Sequence, residues 1–236
     1  MDRPARAVAV GAAAFGVILI AGCGGRASDS PSTPARGSAT EPTPSVLIAS
    51  MQASVRQASS MHVVGRLTNN GVPISVNLDL QKNGDVAGTE SLKGASFQVI
   101  AVHSKVYVKA TRSFLRVVKA PAGACAVACG KWLQLTPGLA SQLMGDLSMT
   151  NFTGPLTSPR LPTFTAAGSK TVDGQLAWVL SAGGGVTLAI SSASPHYPLA
   201  ATTGGSTSEV ITYSRWNETP LPVPPSPAEV LNLNNL

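Results

Sequence analysis

The 236-residue chain has little charge. Asp, Glu, Lys and Arg make up 12% of it, against roughly 25% in an ordinary soluble domain. Its eleven carboxylates are scattered. Asp79, Asp85, Asp146 and Asp173 read as turn or polar-face residues, so no pair is marked out as general acid and base. The three histidines, His62, His103 and His196, form neither a HExxH pattern nor a Cys/His cluster, which leaves zinc unsupported. No G-x-S-x-G elbow is present. Gly168-Ser169-Lys170-Thr171 ends like a phosphate-binding loop but lacks the glycine before Lys170 and the upstream glycine; it reads as a strand entering a hairpin. Gly183-Gly184-Gly185 reads as a turn. The net charge of +6 comes without a Lys/Arg run or basic–aromatic alternation, so nucleic acid is not expected as a partner. The basic balance suits an anionic envelope surface. No enzyme activity and no cofactor are expected.

Cysteine is scarce too, with three residues. Cys125 and Cys129 sit between Pro121 and Gly130, in a stretch read as a loop. Their spacing is not that of a redox CxxC, and two further metal ligands are missing nearby. A local disulfide is expected over free thiols, closing a small ring with a modest loop-entropy gain.

The third cysteine closes the N-terminal pattern. Arg3 and Arg6 precede an uncharged run from Ala7 to Gly22, too short for the roughly 20 apolar residues of a spanning helix. A basic start before a short apolar run is the layout of an export signal. Ile20-Ala21-Gly22-Cys23 resembles the lipobox of bacterial lipoprotein precursors at all four positions. That resemblance implies cleavage after Gly22 and diacylation of Cys23. Residues 24–44 contain no large apolar side chain and are rich in Pro, Ser, Thr, Gly and Ala. Such a stretch buries too little surface to offset its ordering entropy, so it reads as a tether. The expected organisation is a signal peptide over 1–22, the lipidated Cys23 with its tether over 23–44, and one domain over 45–236. The expected location is the extracytoplasmic face of the cell membrane.

From Ser45 to Ala58, Leu47, Met51, Val55 and Ala58 recur at helical spacing. From His62 the period becomes two. Val63–Thr68, Ile74–Leu80, Val86–Leu92, Ala95–Val102 and Val106–Lys109 are expected strands, joined by turns at Asn69-Asn70-Gly71, Lys82–Asp85, Lys93-Gly94 and His103–Lys105. Lys131–Leu135 continues them, and Gly138–Met149 predicts a second helix. Residues 150–163, with Pro155, Pro159 and Pro162, are expected to be a loop. Strands follow at Thr163–Lys170, Leu176–Ser181, Val186–Ser191, Leu199–Thr203 and Val210–Tyr213, then a proline-rich tail from Pro220. Helix, meander, helix, meander predicts an α+β fold. Two sheet halves form a curved antiparallel sheet, a half-open barrel with helices across its concave face.

This layout resembles the mycobacterial lipoprotein family of LppX, LprG, LprA and LprF. The resemblance rests on the lipobox and tether and on the first helix running into Ser59–Leu67 (SSMHVVGRL). It rests further on Gly130–Leu135 (GKWLQL), Val172–Leu180 (VDGQLAWVL), Ser194–Ala200 (SPHYPLA) and Val210–Pro225 (VITYSRWNETPLPVPP). Ser214-Arg215-Trp216-Asn217 departs from the family, which often has Asp and Gly there, and the Cys125/Cys129 pair is not assigned to its pattern. The resemblance implies a half-open barrel, similar in shape to LolA and LolB, whose cavity takes up acylated lipids or lipoglycans. The ligand partner is then an acylated lipid or lipoglycan. The membrane partner is the outer leaflet of the cytoplasmic membrane, held through Cys23. A membrane transporter is a candidate partner.

Candidate wall residues are Met51, Val55, Leu143 and Leu147 on the helices and Val76, Leu78, Phe97, Val99, Val108, Leu176, Trp178 and Leu188 on the strands. Each has an ordinary core role as its alternative. With 5% aromatics, few rings are available to plug a cavity. The competing functional readings are an interaction or sensor module with the same fold and no cargo, and a structural envelope protein or inactive enzyme relative.

Overall fold

The computed structural model describes residues 42–69, 71–204 and 209–233. The signal segment, Cys23 and the tether up to residue 41 lie outside the described residues. Residues 41–236 form one compact unit.

Helix α1 (Pro44–Gln57) opens it. Pro44 suits the first helical position, where its missing N–H is no loss. The stripe read from the sequence is the buried one: Leu47, Met51, Val55 and Ala58 are all sealed from solvent.

The first meander follows: β1 (Ser60–Asn69), β2 (Val72–Gln81), β3 (Val86–Leu92), β4 (Ala95–Val102) and β5 (Lys105–Lys109). Period-two alternation sets which face is inside. Ile74, Val76, Leu78 and Leu80 of β2 point into the core, as do Ala95, Phe97, Val99 and Ala101 of β4. A two-helix excursion, α2 (Arg112–Val117) and α3 (Ala124–Ala128), separates β5 from β6 (Trp132–Gln134). Helices α4 (Pro137–Asp146) and α5 (Met149–Thr157) come next. The second meander is β7 (Thr165–Val172), β8 (Gln175–Ala182), β9 (Val186–Ser191), β10 (Pro198–Thr203) and β11 (Glu209–Ser214). A short β12 (Val230–Asn232) ends the described chain.

All twelve strands belong to one sheet, in the order β12-β6-β5-β4-β3-β2-β1-β11-β10-β9-β8-β7. Every pairing is antiparallel except β12 with β6. The sheet is curved and does not close, giving an α+β half-open barrel with helices on its concave side. The expected two halves are thus one sheet, joined where β1 pairs with β11 (His62 opposite Ser214). That pairing spans about 150 residues of sequence, beyond the reach of local periodicity. The open edge β7 is exposed over most of its length, and it is blunted by Lys170 and a register shift between Ala166 and Ser169.

The loop expected at 150–163 is instead largely α5, whose Pro155 lies inside the helix. Ser148 caps it by accepting from the Asn151 N–H at 3.2 Å. Met149, Phe152 and Leu156 form a buried stripe at spacings of three and four. Burying those three side chains at roughly 2 kcal/mol each outweighs the roughly 3 kcal/mol of an interior proline. Gln52 Nε2 donates to the Leu156 and Ser158 carbonyls, both at 3.3 Å, and ties α5 to α1.

The C-terminal end of β11 is clamped by side chains at the position where the sequence departs from its family resemblance. Asn217 Oδ1 accepts from the Ser59 N–H at 2.7 Å, and its Nδ2 donates to the Tyr197 hydroxyl at 2.8 Å. The Trp216 indole stacks on Tyr197, with centroids 4.7 Å apart, and donates to the Pro198 carbonyl. Arg215 donates to Asp79 Oδ1 at 2.5 Å, the oxygen that also lies 2.7 Å from His62 Nδ1. Asp79 and His62 face each other across the β1–β2 register. This group is a cross-strand polar tie, and it holds the turn against the sheet.

Tyr213 of β11 is buried, and its hydroxyl donates to the Phe152 carbonyl. Burial pushes its phenol well above the ordinary value, because the phenolate would lose its hydration. The unfolded chain then releases this proton near pH ~10 while the folded one keeps it. The contribution is intact below that pH and is lost as pH rises above it, at up to about 1.4 kcal/mol per pH unit. Denaturant unfolding between pH 8 and ~11 should show this alkaline decline. Tyr213→Phe should flatten it relative to the parent, and an unchanged slope in the variant would rule Tyr213 out as its source.

Candidate functional site

The excursion between β5 and β6 is pinned at its base. Ala110 N–H donates to the Lys131 carbonyl and Gly130 N–H to the Ala110 carbonyl, each at 2.9 Å. Thr111 caps α2 by accepting from the Phe114 N–H at 3.1 Å. Leu115 and Ala128 then bury against Ala110 and Leu133 in a small satellite core under the two helices.

The expected loop around the cysteines is helical, because Gly123 takes a left-handed conformation (φ 87°) that starts α3 directly. The expected disulfide is present: Cys125 and Cys129 are bonded, with Cα atoms 4.6 Å apart. One helical turn brings residues four apart into reach. The bond stiffens a helix too short to be stable by itself.

Between this excursion, the inner face of β2–β6 and helix α4 lies a cavity of about 860 Å³. That is near the top of the ~300–1,000 Å³ range of small-molecule pockets. Of its 22 lining residues, all but Glu90, Lys93 and Gln142 are apolar. Ile74, Phe97 and Val108 supply the sheet wall, Leu143 the α4 wall, and Phe114 and Ala124 the excursion. Phe97 and Phe114, both in the lining, pack against each other with ring centroids 4.9 Å apart. Glu90, only 4% exposed, reaches the lining from β3. A second crevice, of about 530 Å³ and mixed polarity, lies beside Ser194-Pro195 and Trp216.

Three of the sequence-named wall residues, Phe97, Val108 and Leu143, meet at the large cavity. Met51, Val55, Val76, Leu78, Val99, Leu147 and Leu188 sit in the continuous packed core, and Trp178 packs against it half-buried. Leu176 is 51% exposed on β8, away from the cavity. Most of the remaining lining was not anticipated, above all the excursion. The signal for it was present: Phe114, Leu115 and Val118 behind a Thr111 cap, in a stretch with no assigned element. Among the described residues no group of three metal-ligating side chains comes together, and no helix is long and apolar enough to cross a membrane.

A one-layer sheet that stays open, with helices standing off its concave side and an apolar hollow between, defines a half-barrel fold. Among solved structures the chain is similar to LprF from Mycobacterium bovis, with a TM-score of 0.53 at 16% identity, over 76% of this chain and 95% of that one. Lipoprotein LppX from Mycobacterium tuberculosis aligns over 75% of this chain and 98% of its own, with a TM-score of 0.48 at 16% identity. The fold is therefore that of LprF. No protein-family model matches the sequence, and no curated protein does.

Proposed function

We propose that this protein is a lipid-anchored, non-enzymatic envelope protein that holds the hydrocarbon tails of an acylated lipid or lipoglycan in the cavity and carries or presents them outside the cytoplasmic membrane. The observation that carries this reading is the cavity itself. A volume of about 860 Å³, bounded by a rigid sheet and lined almost wholly by carbon, excludes polar ligands and favours tails. Each methylene moved out of water into it contributes ~0.8 kcal/mol. The fold shared with LprF and the lipobox ending at Cys23 support the same reading. The signal over 1–22, the acylation of Cys23, the tether over 23–44, the extracytoplasmic location and a membrane transporter as partner belong to the proposal.

The test separates anchor from cargo. The full chain with Cys23→Ser cannot be acylated at that position, so acyl lipid extracted from it and read by mass spectrometry is not the anchor, and the share that is lost when the cavity is filled by substitution comes from the cavity. Co-purification of about one lipid per protein is the expected result. Cys23→Ser protein that never carries acyl chains, when isolated from lipid-containing cells, would remove the carrier reading.

A further inference from the structure

The cavity has a lip of unusual composition. Val118, after α2, and Val127, in α3, line the cavity and yet are 51% and 70% exposed. Leu139 of α4, also in the lining, is 48% exposed. Large apolar side chains standing in water around a cavity mouth mark a surface that meets something apolar. The two valines ride on the excursion, which is held at its base by paired backbone bonds and stiffened by the Cys125–Cys129 bond. Its two helices, of six and five residues, therefore present the valines on a fixed frame.

Charge names the partner. The cations that look thinly spread along the chain are one-sided here. From Ser91 to Gly145 there are seven Lys and Arg and no Asp or Glu. Four of them, Arg112, Arg116, Lys119 and Lys131, lie on or beside the excursion and are exposed, and exposed Lys93 also lines the cavity. Apolar side chains set among cations, with no anion in the segment, complement a surface that is negative outside and hydrocarbon inside. A bilayer containing anionic lipid has that profile.

We propose that the α2–α3 lip is a membrane-docking surface. Val118 and Val127 enter the headgroup boundary of an anionic bilayer while the flanking cations engage its headgroups, which places the cavity mouth against the leaflet. A tail passing between bilayer and cavity then need not cross open water. Its purpose rests on the carrier reading, whereas the contact itself does not.

Hydrogen–deuterium exchange on the full chain carrying Cys23→Ser tests the contact without an acyl anchor. Vesicles of phosphatidylcholine alone are compared with vesicles that also contain phosphatidylglycerol. Because the apolar run at 7–22 can bind either kind, only the peptides covering 112–131 are read, with 165–182 as the internal control. The expected result is exchange slowed roughly tenfold at 112–131 on the anionic vesicles only, weakening as salt shortens the Debye length. Val118→Asp with Val127→Asp should abolish the slowing, as should Arg116→Glu with Lys119→Glu, which leaves the cavity lining intact so that lipid still co-purifies. Equal exchange on both vesicles, or slowing that survives either double substitution, would overturn the proposal. So would protection of 112–131 that grows with protein concentration without vesicles, which would assign the lip to a second copy of the chain. None of these outcomes bears on whether lipid is found in the cavity.

Discussion

Ala120→Trp combined with Ala124→Trp is expected to strip the protein of its co-purified lipid and leave it folded. Both alanines line the cavity. Both belong to the excursion, where they pack only partly buried against the satellite core. Two indoles placed there occupy space that tails would otherwise use. Losing the burial of only four methylenes at ~0.8 kcal/mol each removes about 3 kcal/mol. That corresponds to more than a hundredfold weaker affinity at ~1.4 kcal/mol per tenfold in Kd. Filling a cavity is neutral to stabilising for the fold, so the melting temperature should hold or rise. Lipid per protein from mass spectrometry and thermal unfolding by circular dichroism read the two effects apart. Leu176→Trp, on the exposed part of β8 away from the cavity, should keep its lipid. A folded double variant carrying as much lipid as the parent would mean that the tails sit elsewhere, and the carrier reading would lose its site.

The contrast between Leu176 and Phe97 shows how far the sequence can be read. Both lie in segments of strand periodicity, and the period tells only which side of a sheet a residue takes. It does not tell what stands over that side. Ile74 and Val76 share the inner face of β2, but Ile74 borders the cavity while Val76 is not in its lining. The difference is made by the excursion and α4, which belong to other parts of the chain. The meander itself was legible because hairpins are local. The turns at Lys82–Asp85, Lys93-Gly94 and His103–Lys105 each join strands adjacent in sequence and in the sheet. Helix α1 was legible because fourteen residues display a full apolar stripe. Helices of six and five residues display less than two turns, so α2 and α3 could not announce themselves by period. In α5 the prolines spoke louder than the Met149, Phe152, Leu156 stripe, and that stripe is what holds it. The excursion, which periodicity could not reach, supplies eight of the 22 residues that line the cavity, while α5 supplies none.

One residue inside a well-read strand carries more consequence than its neighbours. Gly88→Ala is expected to be the most damaging single methyl group in the sheet. Gly88 lies in β3 opposite Leu78 of β2 and Val99 of β4, with φ at +152°. A Cβ built there would stand 2.1 Å from the Asn77 carbonyl oxygen and 2.8 Å from the Leu78 Cα. Both are backbone atoms that cannot turn aside as a flexible side chain would. The backbone conformation alone costs of order 1–3 kcal/mol for a residue with a side chain. Overpacking against a fixed neighbour adds a further 1–3 kcal/mol or so. A loss of about 4 kcal/mol in urea unfolding is therefore expected, a large share of the ~5–15 kcal/mol that holds a domain together. Gly65→Ala is the control. Its Cβ would meet the Val210 carbonyl oxygen and the Ile211 Cγ1 at 3.1 Å, with no left-handed conformation to maintain. A small adjustment of β11 accommodates that contact, so the cost should stay near 1 kcal/mol. Since β3 and β4 carry Glu90 and Phe97 to the cavity wall, Gly88→Ala should also release lipid as it loosens the β2–β3 pairing. If Gly88→Ala were no more destabilising than Gly65→Ala, β2 and β3 would not approach as closely as the fold requires. The sheet wall of the cavity would then have to be redrawn.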